Sequence, residues 1–189
     1  MLIATRRALL LGLLASLTPL VGCGGASDSQ APKTRFVFIT SVGYPGDLGG
    51  LVGADSLCTV HASAAGHAGT WKAWLSDEAT NAIDRIAGVG PWTLMGTTSV
   101  VAQTPASFAL SPSGTINRTE NGALIGTPFN FWSGTATGGA KVAGATCSSW
   151  TTSTSGVGRD HQQNGGPIPW FSAANDTCNA RLFLACIEQ

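Results

Sequence analysis

The chain has 189 residues; 11% are charged, 25 are glycine, and the formal net charge is zero. An average globular domain is about 25% charged and about 7% glycine, so this chain is charge-poor and glycine-rich. Zero net charge excludes the basic footprint that nucleic-acid binding needs to neutralise phosphate, and five cysteines cannot all pair with one another.

The N-terminus reads as an address. Arg6-Arg7 precede an apolar run over 8–15, the pattern of a secretory signal. That run is too short to span a bilayer, which takes roughly 20 apolar residues. Leu20-Val21-Gly22-Cys23 resembles a bacterial lipobox. By that resemblance residues 1–22 are removed and Cys23 carries the lipid. More than one acyl chain is needed for stable anchoring. Gly24 follows Cys23 in place of Asp, which by Gram-negative sorting patterns places the product at the outer membrane or cell surface. The mature chain of 167 residues carries a net charge of −2. Residues 23–33 are polar and glycine-rich, a flexible tether.

One domain is expected over 34–189. Residues 35–40 are β-branched and aromatic and read as a first strand; 44–50 is turn chemistry. Ala54, Leu57, Cys58, His61, Ala62 and Ala65 recur at spacings of three and four. This predicts an amphipathic helix over 53–65, ended by Gly66. Strands are expected at 71–76, 91–95, 99–102, 129–132 and 147–150, and a short helix at 81–87. The last strand, 181–187, is apolar on both faces and therefore central. Between these lie three long Gly/Ser/Thr/Asn stretches, 104–127, 133–146 and 151–174, read as loops. Loops of such length are uncommon unless functional.

With Cys23 assigned to lipid, Cys58, Cys147, Cys178 and Cys186 remain. In an exported chain an even set forms a disulfide framework, and four cysteines allow three pairings. No Cys-x-x-Cys is present, so no structural metal site is expected.

Residues 49–58 (Gly-Gly-Leu-Val-Gly-Ala-Asp-Ser-Leu-Cys) and 65–76 carry a pattern that continues in order. It runs through Phe131-Trp132-Ser133-Gly134, Cys147-Ser148-Ser149-Trp150, Cys178 and Leu184-Ala185-Cys186-Ile187-Glu188. The pattern resembles the endostatin domain of collagens XV and XVIII, and more closely a bacterial group of unknown function, DUF1554. The resemblance implies a C-type-lectin-like α+β fold: a mixed, mostly antiparallel sheet, one main helix and long disulfide-stapled loops. It also implies nested bridges, Cys58 with Cys186 and Cys147 with Cys178.

Family chemistry does not all transfer. The segment corresponding to the zinc-binding N-terminus of endostatin, 33–43, has no His, and the mature chain has no Arg cluster. Neither zinc nor heparin binding is expected. Asn175-Asp176-Thr177-Cys178 resembles one of the two calcium-binding elements of C-type lectins; the other is missing. Ca2+ takes six to eight oxygen ligands and two can be nominated, so no cofactor is expected; Ca2+ is the ion those two would suit.

Catalysis is not expected either. His61 reads as a structural residue of the apolar helix face. Asp160-His161 are adjacent in a presumed loop, Asp77-Glu78 read as a solvated turn, and no Gly-x-Ser-x-Gly is present. Trp71, Trp74, Trp92, Trp132 and Trp150 read as core. Trp170 sits in a Gly/Pro loop near Gln162, Gln163 and Asn164, where an indole face can stack on a sugar or peptide. The expectation is therefore a lipid-anchored, non-catalytic binding module for a glycan or protein. Its ligand residues would be Trp170, Gln162, Asn164, Asn175 and Asp176. The alternative is a structural or protein-interaction component of the envelope without a small-molecule site.

Overall fold

The computed structural model describes residues 33–110, 112–164 and 172–189. Eight strands and three right-handed helices occur among them: β1 Arg35–Ile39, α1 Gly50–Ala64, β2 Trp71–Ala73, α2 Ala82–Arg85, β3 Trp92–Leu94, β4 Val100–Ala102, α3 Pro105–Leu110, β5 Phe129–Trp132, β6 Val157–Gln163, β7 Ser172–Thr177 and β8 Phe183–Glu188. The strands form one sheet, seven of them in the order β4-β3-β1-β8-β5-β6-β7 and the eighth, β2, paired with β8 off that path. Two pairings, β1 with β3 and β5 with β8, are parallel; the rest are antiparallel. This is a mixed, mostly antiparallel α+β architecture.

β8 is the hub, as its two apolar faces require. One edge pairs with β1; the other is divided between β5, at Phe183 and Leu184, and β2, at Cys186 to Glu188. Alternation along the strand sends Leu184 and Cys186 into one hydrophobic cluster and Ala185 and Ile187 into another. The first cluster lies under α1, whose buried stripe is Ala54, Cys58 and Ala62. Small residues at that i, i+4 spacing let the helix lie close to the sheet. The second cluster gathers Trp74, Trp92, Phe108, Phe129 and Phe131 on the opposite side. The five core tryptophans are all essentially buried.

Both disulfides are formed as the resemblance implied. Cys58–Cys186 joins α1 to β8 across 128 residues, and Cys147–Cys178 closes 31. The chain-entropy model assigns them roughly 5 and 4 kcal/mol.

Five segments differ from the sequence reading. The main helix starts at Gly50, earlier than 53, and the strand at 71–76 is confined to Trp71–Ala73. Residues 104–127 hold helix α3, and 151–174 are not one loop but contain β6 and the start of β7. The polar β6 is a strand because β5 and β7 occupy its two edges and satisfy its backbone.

The fifth difference is Cys147–Trp150, expected as a strand. All four residues have positive φ, from 47° to 64°, so the segment is a single left-handed turn. Such geometry costs roughly 1–2 kcal/mol per non-glycine residue. Several contacts offset that cost. Thr146 Oγ1 accepts from the Ser149 N–H at 3.1 Å, and the Trp150 indole N–H donates to the Ser76 carbonyl at 2.6 Å. Leu48 N–H donates to the Trp150 carbonyl at 3.0 Å. A Cβ on Gly46 or Gly158 would lie 2.5 or 2.9 Å from the Cys147 sulfur, so only glycine admits the turn there.

Candidate functional site

Register places three of the expected ligand residues, Gln162, Asn175 and Asp176, on β6 and β7 of the outer sheet. Pairing sets Trp132 opposite Asp160 and Asn130 opposite Gln162, then Asp160 opposite Ala174 and Gly158 opposite Asp176. Asn130, Asp160, Gln162 and Asp176 therefore share one face. Gln162 donates its amide to Asn130 Oδ1 at 3.3 Å, and the Asn130 amide donates to Asp160 Oδ2 at 2.6 Å. Asp160 is fully buried, and its Oδ1 has no hydrogen-bond partner. Burial, and then the Asp176 carboxylate, push the Asp160 carboxyl above its ordinary value.

Asn175 is on the other face, where it accepts from Arg159 at 3.3 Å. The Asn175–Asp176 pair thus does not converge on one point, which removes the geometric basis for the calcium comparison. Asn164 follows β6 and is exposed. Trp170 and Cys23 lie outside the described residues. Among the described residues no group of three or more His, Cys, Asp or Glu is placed to hold a metal ion.

Asp160 and His161 are strand neighbours, so their side chains point to opposite faces and cannot orient each other. His161 is 3% exposed and meets the Phe131 ring at 5.6 Å between centroids. Burial, with Arg159 adding like charge, lowers its pKa to about 4.

A second polar cluster joins residues far apart in sequence. Tyr44 and His61 are hydrogen-bonded at 2.7 Å (Oη to Nε2), and His61 Nδ1 meets Glu120 Oε1 at 3.0 Å. The Glu120 carboxylate only accepts, so Nδ1 carries the proton. In the neutral ring Nε2 then accepts, and Tyr44 donates. Ser41 donates to Glu120 through its N–H at 2.9 Å and through its hydroxyl. Burial opposes the Glu120 charge, but the Ser41 and His61 hydrogen bonds outweigh it and hold the carboxyl below its usual range. Burial and the Glu120 charge push the Tyr44 phenol up, so it is not an activated nucleophile. His61 is a satisfied structural histidine that ties α1 to two loops. Glu78 is likewise more than a solvated turn: it accepts from Gly144 N–H and Thr146 Oγ1.

The molecule is thus an α+β domain with a disulfide-held sheet and a polar face on its outer hairpin. A family model described as "Protein of unknown function (DUF1554)" matches residues 41–165, about two thirds of the chain, and the chain belongs to that family. The match runs from the Ser41 loop through β6 and stops before Cys178 and Cys186. Comparison with curated proteins gives no match.

Proposed function

We propose that the chain is a lipid-anchored envelope protein presenting a C-type-lectin-like, endostatin-like module that binds a glycan or protein without catalysis. One observation carries this reading: on the polar face of β5–β6–β7, Asn130 and Gln162 lie toward the end of the sheet opposite the start of β1. Phe36 N–H donates to the Glu188 carboxylate, so β1 begins beside the end of β8. The β8 start pairs with Phe131, and Phe129 pairs with Gln163 further out. Gln162 and Asn164 therefore lie at the end of the sheet opposite the start of β1. Side chains held on a paired strand are pre-organised, which lowers the ordering cost of binding. No helix among the described residues is long and apolar enough to cross a membrane, so attachment in this reading rests on Cys23.

The test uses the full lipidated chain in detergent on a glycan array, beside Gln162→Ala and Asp176→Ala. Specific signal that either substitution lowers about tenfold or more, a loss of about 1.4 kcal/mol, supports the reading. A silent array with a protein captured from envelope extracts favours the interaction-component alternative. Cys23→Ala should move the protein to the soluble fraction; unchanged membrane partition refutes the anchor.

A further inference from the structure

The two disulfides sit in different surroundings. All four cysteines are buried, but Cys58 and Cys186 lie between α1 and β8. Cys178 instead lines a cleft of about 260 Å3, with Ser153, Thr154, Gly156, Thr177 and Asn179. Gly156 is exposed, and a Cβ on it would lie 3.8 Å from the Cys178 sulfur. The missing side chain thus leaves a thin cover over that sulfur. The Cys147 sulfur is packed against Gly46 and Gly158 and offers no such approach.

The same bond holds the left-handed turn. Cys147 opens the run of four positive φ values, and nothing in the Cys-Ser-Ser-Trp sequence favours that geometry on its own. Disulfides that hold strained backbone, or that solvent can approach, are the reducible ones. The bond also fixes the base of the candidate binding hairpin. β7 is the edge strand of the sheet and ends at Thr177, directly before Cys178. Thr146, directly before Cys147, bridges to Gly158 of β6, and Arg159 N–H donates to the Ala145 carbonyl at 2.7 Å.

We propose that Cys147–Cys178 is a reducible catch on the β6–β7 hairpin: a dithiol opens it in the folded protein, the left-handed turn relaxes and the hairpin loosens, while Cys58–Cys186 stays closed. A dithiol thiolate attacks the Cys178 sulfur. The disulfide breaks, and Cys147 leaves as a thiolate and takes up a proton. The second thiol of the donor, as its thiolate, then attacks the donor sulfur of the mixed disulfide and releases Cys178, which is protonated in turn. The donor is oxidised to its disulfide, and the two cysteines gain two electrons and two protons. Only the consequence for ligand binding rests on the function proposed above.

The test treats the full chain with dithiothreitol at neutral pH without denaturant, traps free thiols with iodoacetamide and maps the peptides. Cys147 and Cys178 should be alkylated at least about tenfold faster than Cys58 and Cys186. Amide exchange over 172–177 should then rise while β1 and β8 remain protected. Gly156→Asn, which tolerates positive φ, should slow the reduction about tenfold by covering the cleft. Opening of both bonds at one rate, or of Cys58–Cys186 first, overturns the proposal, as does unchanged exchange in β7 after selective reduction. An unchanged rate in Gly156→Asn overturns the cleft as the route. None of these readouts needs a ligand, so a silent glycan array would leave them standing.

Discussion

Acidification from about pH 7.5 to about pH 4.5 should cost the domain about 2–3 kcal/mol of stability through His161 alone. An unfolded histidine titrates near 6.5, whereas burial and Arg159 lower the folded His161 to about 4. The unfolded chain therefore takes up the proton first. The stabilisation is fully present above about pH 6.5 and is lost as pH falls toward the folded value, at up to about 1.4 kcal/mol per pH unit. Urea unfolding followed by tryptophan fluorescence reads this directly, since five core tryptophans are buried. The comparison is with His161→Leu, which cannot titrate. Glu120 and Asp160 also shift, in opposite directions, but both are common to the two chains, so the difference in slope belongs to His161. The wild type should lose stability between about pH 6.5 and about pH 4.5, with a flatter profile in the variant. Equal slopes in the two chains would refute a buried neutral His161.

Asp160→Asn should raise stability at neutral pH by about 1–3 kcal/mol, because it removes a buried charge with one unpartnered oxygen. The native carboxyl has a raised pKa, so the wild type gains relative to the variant as pH falls through that value. The advantage should fade in acid, and a constant difference across pH would contradict the assignment. His61→Ala should lower stability by about 2 kcal/mol, read as a fall in Tm, because it strips a partner from both Tyr44 and the buried Glu120. A neutral result would show that the Tyr44–His61–Glu120 link does not hold α1.

Much of the inner fold was legible because its signals are local. The spacing of Ala54, Cys58 and Ala62 marks α1 before any tertiary contact is known. The apolar run from Leu182 to Ile187 marks the hub strand. The outer hairpin was hidden because Val157 to Gln163 is mostly polar, and its extended state comes from pairing on both edges. The turn at Cys147–Trp150 was hidden for a different reason. Positive φ is ordinarily signalled by Gly or Asn, and this segment has neither. Its geometry is imposed by the disulfide, by Thr146 and by two glycines that approach from elsewhere in the chain. The link from His61 to Glu120 crosses 59 residues, a distance at which residue spacing carries no signal. Of the candidate site, Gln162 was named for its place near the Trp170 loop and Asp176 from the resemblance to a lectin calcium-binding element. Asn130 and Asp160 enter only through register.

The hub position of β8 also governs when this chain can fold. Its sheet is completed by the strand that follows all the other described strands in the chain, and Val37 must meet Ile187 across 150 residues. Contacts of such sequence separation slow folding, since the closure entropy must be met before they form. A growing chain lacking β8 has neither the strand that joins β1 to β5 nor a partner for Cys58. Its sheet stays open until β8 has been made and can pair. The oxidation that joins Cys58 to Cys186 would then follow that pairing and lock α1 onto the finished sheet.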